Sequence, residues 1–205
     1  MAIKRILHKF EPQMANEHRI LELFHSLKTP RVPQVVDFGP DFLVMTPCGE
    51  NFIKFSRNSI QDLIQTLQII HQNGFIHRDI RPSNLIQVNE DVYLIDWGFA
   101  CKIGDKVKFV GKLEYAAKDI LTNPEFPWLT ARASQDLHML LKMFYIHFVA
   151  PYPLFKDTKD KNQILEKWEE LCPEKCFLRN GFQLCSNLDY LGLTQFLQEN
   201  YVFAF

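Results

Sequence analysis

A charge excess of either sign is missing from this 205-residue chain: 23 lysines and arginines face 24 aspartates and glutamates, a formal net charge of -1. That excludes the basic footprint of a nucleic-acid binder. Any recognition of phosphate must then come from a few placed cations and a metal. Long apolar runs are missing too, and no stretch approaches the ~18 apolar residues that a membrane span needs. The opening MAIKRILHKFEPQ breaks its apolar residues with Lys4, Arg5 and Lys9 and offers no small-residue cleavage site, unlike a secretory signal. Even cysteine pairing is absent. Five scattered cysteines (Cys48, Cys101, Cys172, Cys176, Cys185) predict free thiols in a reducing, intracellular and cytoplasmic compartment. Cys172 and Cys176 could share a helix face, but further zinc ligands at finger-like spacing are lacking. Internal repeats and low-complexity segments are lacking as well. What is present is a globular composition, 47% apolar and 23% charged, sufficient for one sizeable core.

Periodicity predicts a strand over Ala2–Leu7, a helix over Met14–Leu27 and two strands, Val35–Phe38 and Phe42–Met45, around Gly39-Pro40-Asp41. Pro30 and Pro33 end the first helix, since each lacks an amide hydrogen. Ile60, Leu63, Ile64, Leu67 and Ile70 mark one face of a helix over Ser59–Gln72, closed by Asn73-Gly74. A strand pair, Asn84–Val88 and Val92–Ile95, follows. Helices are then predicted over Ser134–Phe148, Gln163–Leu171 and Leu188–Glu199. The expected fold class is α+β, with a small mixed lobe over 1–48 and a mainly helical lobe over 49–205, joined at Gly49-Glu50-Asn51, as one domain.

Residues 75–100, FIHRDIRPSNLIQVNEDVYLIDWGFA, carry the chemistry. His77-Arg78-Asp79-Ile80-Arg81-Pro82-Ser83-Asn84 resembles the catalytic loop H-R-D-x-x-x-x-N of eukaryotic protein kinases, and Asp96-Trp97-Gly98 resembles their D-F-G element. Taken alone, such aspartates are turn and cap residues; two motifs in order, one hairpin apart, are another matter. Ala2-Ile3-Lys4 looks like the V-A-I-K strand, and Glu17 stands where the family's helix-C glutamate would be. The resemblance, which covers about residues 2–148, implies a two-lobed kinase-like fold using ATP and Mg²⁺. It implies that Asp79 accepts the substrate hydroxyl's proton, that Arg81 faces the γ-phosphate, and that Lys4 and Glu17 pair to position the α- and β-phosphates. Asn84 and Asp96 would hold Mg²⁺, whose hard character suits oxygen ligands. Around adenine the resemblance implies Ala2 and Ile86 on the two ring faces, Met45 as gatekeeper, and the backbones of Thr46 and Cys48 as contacts. Leu21, His77, Trp97 and Asp136 would build the regulatory spine, with Asp136 anchoring the catalytic loop.

Departures qualify the match. The family's glycine-rich loop has no counterpart, because the chain begins at what corresponds to the third strand. Either the chain is a piece of a protein that starts upstream or the domain is N-terminally truncated relative to the family, and weaker ATP binding is expected without that loop. In Gly111-Lys112-Leu113-Glu114-Tyr115-Ala116-Ala117-Lys118-Asp119, which resembles the end of an activation segment, Lys112 replaces a threonine and is placed to pair with Asp79. Asp119 replaces a glutamate, with Arg179 as its candidate partner. From Gly98 to Glu114 there is no Ser, Thr or Tyr, so activation by phosphorylation of this segment is not expected. The sequence leads to an ATP-dependent protein kinase acting on a Ser or Thr hydroxyl of a protein substrate. A catalytically weak kinase-shaped binding module is the alternative, and a kinase-fold small-molecule phosphotransferase the third reading.

Overall fold

The residues spaced for strands and helices are the ones that a computed structural model of the chain buries. It describes residues 1–5, 11–148, 154–155, 158, 160–173 and 176–200. Two compact units emerge, one from Met1–His77 with Pro82–Cys101, the other from Arg78–Arg81 with Lys102–Phe205. The fold is α+β, its strands concentrated in the first unit and its helices in the second.

In the first unit, β1 (Ala2–Arg5), β2 (Gln34–Phe38) and β3 (Phe42–Thr46) form an antiparallel sheet in the order β1-β3-β2. Its register sets Ala2 opposite Met45 and Lys4 opposite Leu43. Beyond Arg5, the predicted first strand lies outside the described residues. Helix α1 (Glu11–Ser26) buries Met14, Glu17, Ile20, Leu21 and Phe24, one stripe at three- and four-residue spacing. A carboxylate in that stripe signals a partner, because a buried charge without one is costly.

After β4 (Glu50–Asn51), helix α2 (Arg57–Gln72) starts two residues before the sequence expectation. The cause is a capping box: the Ser56 hydroxyl accepts from the Ser59 amide, and the Ser59 hydroxyl accepts from the Ser56 amide. Ile60, Leu63, Ile64, Leu67 and Ile70 are at most 1% exposed, each stabilising by roughly 1.5–3 kcal/mol as an upper estimate. Gly74, at φ +81, ends the helix as its amide returns to the His71 carbonyl. The short strand β5 (Phe75–Ile76) precedes the sheet of β4, β6 (Leu85–Val88) and β7 (Asp91–Leu94). Arg31, placed at φ +55 by the proline-flanked turn, bridges Asp62 and Asp91, with 2.8 Å to the latter.

The chain crosses from one unit to the other within β8 (Cys101–Lys102). The second unit holds an antiparallel ribbon of β9 (Lys106–Lys108) and β10 (Trp128–Thr130), with Trp128 opposite Lys108. It adds α3 (Lys118–Leu121), α4 (Ala133–Phe148), α5 (Lys161–Leu171), α6 (Leu178–Ser186) and α7 (Tyr190–Asn200). The ribbon and α6 were not anticipated. Three-residue strands twenty positions apart leave no periodic signal, and Asn180 and Gly181 are weak helix formers. Gly181 earns its place by close approach: a Cβ there would lie 2.8 Å from Phe196 and 2.9 Å from Leu141.

Central α4 buries Leu137, Leu140, Leu141 and Phe144, but also Gln135, Asp136, His138 and Lys142. The Lys142 ammonium donates to the Ala116 carbonyl and sits 4.6 Å from the centre of the Trp168 ring; burial pushes its pKa down to about 7. His138 Nε2 meets the Ser186 hydroxyl at 3.2 Å; burial, then the Lys142 charge, pushes its pKa down to about 4. The five cysteines are free thiols, Cys185 fully buried. Burial and the neighbouring Cys176 push Cys172 up to about 11. Among the described residues, no helix is long and apolar enough to cross a membrane.

Candidate active site

Strand β1 delivers Lys4 and helix α1 delivers Glu17 to one point. The Lys4 ammonium lies 2.6 Å from Glu17 Oε2 and 2.7 Å from Asp96 Oδ1. Asp96 reaches it because its backbone adopts φ +65, ψ +65, a left-handed conformation that aspartate tolerates better than most residues. Glu17, 1% exposed, also accepts the Trp97 amide through Oε1 at 3.1 Å. Two carboxylates therefore share one ammonium. Burial lifts the Glu17 pKa above the ordinary range, and the Asp96 charge adds to the lift against the opposing pull of Lys4. Burial alone would lower the Lys4 pKa, but the charges and hydrogen bonds of Glu17 and Asp96 outweigh it and raise the value.

Trp97 locks the loop. Its ring is fully buried, edge-on to Phe24 at 4.9 Å and to His77 at 4.5 Å, and its indole N–H donates to the Leu94 carbonyl at 2.9 Å. His77 Nε2 meets the Ile95 carbonyl at 3.0 Å. Asn16 of α1 donates to the carbonyls of Gly98 and Ala100, a role its sequence position did not disclose. Gly98 packs closely, since a Cβ there would lie 3.2 Å from the Gln13 carbonyl oxygen, tighter than ordinary contact.

Asn84, 4% exposed, closes a 3-10 turn (Pro82–Asn84), and its carbonyl accepts the Ile95 amide at 2.9 Å. That bond sets Asn84 beside the residue preceding Asp96. An amide oxygen and a partly exposed carboxylate are hard donors too few to cage an ion alone, which suits Mg²⁺ completing its shell with water and phosphate oxygens. Among the described residues, no cluster of three or more His, Cys, Asp or Glu that could hold a metal occurs. Of the residues expected to face adenine, Ala2 and Met45 are cross-strand partners, with Thr46 ending β3 and Cys48 exposed just beyond. Ile86 belongs to the other sheet, opposite Asn51.

In the second unit, Asp79 is 6% exposed and its Oδ2 accepts from Arg81 Nε at 3.1 Å. Buried Asp136 accepts the Arg78 amide at 2.9 Å, holding the loop by its backbone as expected. Arg78 takes φ +78, and its guanidinium donates to the Lys108 carbonyl. Gly111, at φ +92, lies against the same carboxylate: a Cβ there would stand 2.9 Å from Asp79 Oδ1. Two expectations change here. Lys112 lies 3.5 Å from Glu114, and the cation on Asp79 is Arg81, which is closer along the chain. Asp119 accepts from Gln135 at 3.0 Å and has Arg132 at 3.7 Å, so Arg179 is not its partner. The Tyr115 hydroxyl meets His147 Nε2 at 3.1 Å, and burial, then the Glu114 charge, pushes its pKa up to about 12.

The family model described as protein kinase domain matches residues 50–177. The human serine/threonine-protein kinase MAK is 27% identical over 145 residues, covering 65% of this chain and 22% of that protein. A probable serine/threonine-protein kinase of Dictyostelium discoideum is 32% identical over 97 residues, covering 43% of this chain and 19% of that protein. The chain thus spans about a fifth of the length of these two relatives. The solved structure of vaccinia related kinase 3 shares the fold at a TM-score of 0.64 and 17% identity, covering 93% of this chain and 74% of that one. With the family model matching well over half of its residues, the chain belongs to the protein kinase domain family.

Proposed function

We propose that this chain is an ATP- and Mg²⁺-dependent protein kinase domain that transfers the γ-phosphate to a Ser or Thr hydroxyl of a protein. The observation that carries the reading is the Lys4–Glu17–Asp96 constellation, formed at 2.6 and 2.7 Å. Buried Glu17 holds Lys4, which would meet the α- and β-phosphates, and Asp96 and Asn84 would hold Mg²⁺. Met45, Thr46 and Cys48 would contact adenine, and Ala2 and Ile86 would pack against it. Bound Mg²⁺–ATP supplies the phosphoryl group and the charge that offsets its negative oxygens. Asp79 would orient the acceptor hydroxyl and take its proton, and Arg81 would face the γ-phosphate.

A second reading, a binding module with little transfer, draws support from the Arg81–Asp79 contact. A cation on the carboxylate weakens it as a proton acceptor. Thermal-shift titration with ATP, with and without Mg²⁺, separates binding from its absence. Stabilisation that requires Mg²⁺ and is lost in Asp96→Ala supports the nucleotide site. Labelled phosphate appearing on a protein substrate, and disappearing in Asp79→Asn, supports transfer. Binding without transfer, or no nucleotide binding at all, favours the binding module and counts against the kinase reading.

A further inference from the structure

Two buried side chains of α4, His138 and Lys142, line a cavity of the second unit. The cavity, about 800 Å³, is walled by residues of α3, α4, α5 and α6, and sites of that scale hold drug-sized ligands. Its lining carries four cations, Lys118, Arg132, Lys142 and Arg179, against two carboxylates, Asp119 and Glu169. Both carboxylates are answered by exposed partners: Lys118 lies 2.9 Å from Glu169, and Arg132 3.7 Å from Asp119. Neither Lys142 nor Arg179 has a carboxylate within ion-pairing distance among the described residues. For Lys142 this matters, because the residue is 3% exposed and its ammonium is met by the Ala116 carbonyl and the Trp168 ring, neither of them an anion. A ring contact offsets only part of the penalty for burying an ion. His138 repeats the pattern, since its Nδ1 is buried without a hydrogen-bond partner. Leu121, Leu165, Trp168 and Phe182 give the same cavity an apolar surface.

We infer that this cavity is a binding site for a small aromatic carboxylate, its carboxylate on the Lys142 ammonium and its ring against Trp168 and Phe182. A carboxylate supplies what the folded chain withholds from Lys142, an oxygen that is at once hydrogen-bond acceptor and counter-charge. One buried ammonium matches a monoanion better than a phosphate dianion, which needs several donors to replace its hydration. Aromatic walls favour a flat, rigid body, which meets their rings with little loss of rotamer freedom. Arg179, exposed beside the cavity, adds attraction on approach. The site is built wholly from the second unit and does not depend on the kinase reading. It also adjoins the segment before α3. Lys142 holds the Ala116 carbonyl, and the Trp168 indole N–H donates to the Glu114 carbonyl at 2.9 Å. An occupant therefore touches both side chains that anchor the backbone of those two residues.

Isothermal titration calorimetry of the chain with naphthylacetate, naphthylethanol and naphthylethylamine, three probes of one shape, tests the assignment. The acid should bind at least about tenfold more tightly than the alcohol, with the amine weakest. Lys142→Met keeps most of the side chain's length and removes its charge. It should erase the preference for the acid and leave the affinity of the alcohol within about twofold. Leu165→Trp, at a half-buried wall position, should fill the cavity and weaken acid and alcohol alike by about tenfold or more. Failure of all three probes to bind, an alcohol that binds as well as the acid, or acid binding untouched by Leu165→Trp overturns the inference. So does a preference for the acid that survives in a folded Lys142→Met chain. If Lys142→Met does not fold, the acid–alcohol comparison and Leu165→Trp decide. No nucleotide is present in these titrations, so either outcome leaves the kinase reading where it stands.

Discussion

Removing Lys4 should cost more than removing the charge of Glu17, although the two form one ion pair. Lys4→Met leaves Glu17 buried at 1% exposure, with the Trp97 amide still donating to it and Asp96 nearby as a like charge. Breaking a buried pair by deleting one partner costs about 3–5 kcal/mol. Since the Lys4 side chain is itself 31% exposed, the lower end, about 3 kcal/mol, is expected. Glu17→Gln keeps an oxygen for the Trp97 amide, removes the buried charge and leaves Lys4 on Asp96, so its cost should be about 1 kcal/mol. In the double variant the orphaned carboxylate is gone, so it should be more stable than Lys4→Met alone. Urea unfolding at about pH 8 measures all three, read at constant slope. The Lys4→Met deficit should shrink towards about pH 5. Glu17, whose pKa is already raised, then takes up a proton in the folded state before the unfolded chain does. A Lys4→Met variant no less stable than Glu17→Gln, or a deficit that grows on acidification, would refute the reasoning.

Gly111→Ala should lower stability by roughly 1–3 kcal/mol, because φ +92 is strained for any L side chain. In the same variant, a drop in kcat with the KM for ATP unchanged would report displacement of Asp79, whose Oδ1 the new methyl would crowd. His138 predicts acid sensitivity. Its folded pKa of about 4 lies below the ordinary 6.5, so between those values the unfolded chain binds the extra proton. Its contribution is intact above about pH 6.5 and is lost as pH falls towards 4, up to about 3 kcal/mol in all. A His138→Phe variant should show a flatter melting temperature across that window, and an unchanged slope would dismiss the idea.

The sequence was legible where a single periodicity or a dense motif decides the outcome. Helices α1, α2 and α4 follow from apolar stripes, and the strand pairs follow from turn residues at Gly39-Pro40-Asp41 and Asn89-Glu90-Asp91. Lys4 and Glu17 were placed together by resemblance, and the structure brings them within bonding distance. What stayed hidden depends on side chains meeting across long stretches of chain. Asn16 carries no signal in the sequence, and only the folded loop shows the carbonyls of Gly98 and Ala100 that it serves. Arg81 on Asp79, in place of Lys112, is a matter of side-chain reach that charge alone does not settle. Lys142 within an apolar stripe carries no local clue to the Ala116 carbonyl that holds it.

Tryptophan at the middle of Asp96-Trp97-Gly98 has an effect on what can be bound there. Ejecting a fully buried indole to open space behind it would forfeit the Leu94 hydrogen bond and two edge-on ring contacts. The loss is comparable to a large-to-small core substitution, about 3–5 kcal/mol. Inhibitors that depend on emptying that ring's pocket would forfeit roughly two to four powers of ten in affinity, whereas compounds that leave the ring seated would not. The same indole is an optical reporter built into the loop: its emission should stay blue-shifted for as long as Asp96 keeps its hold on Lys4.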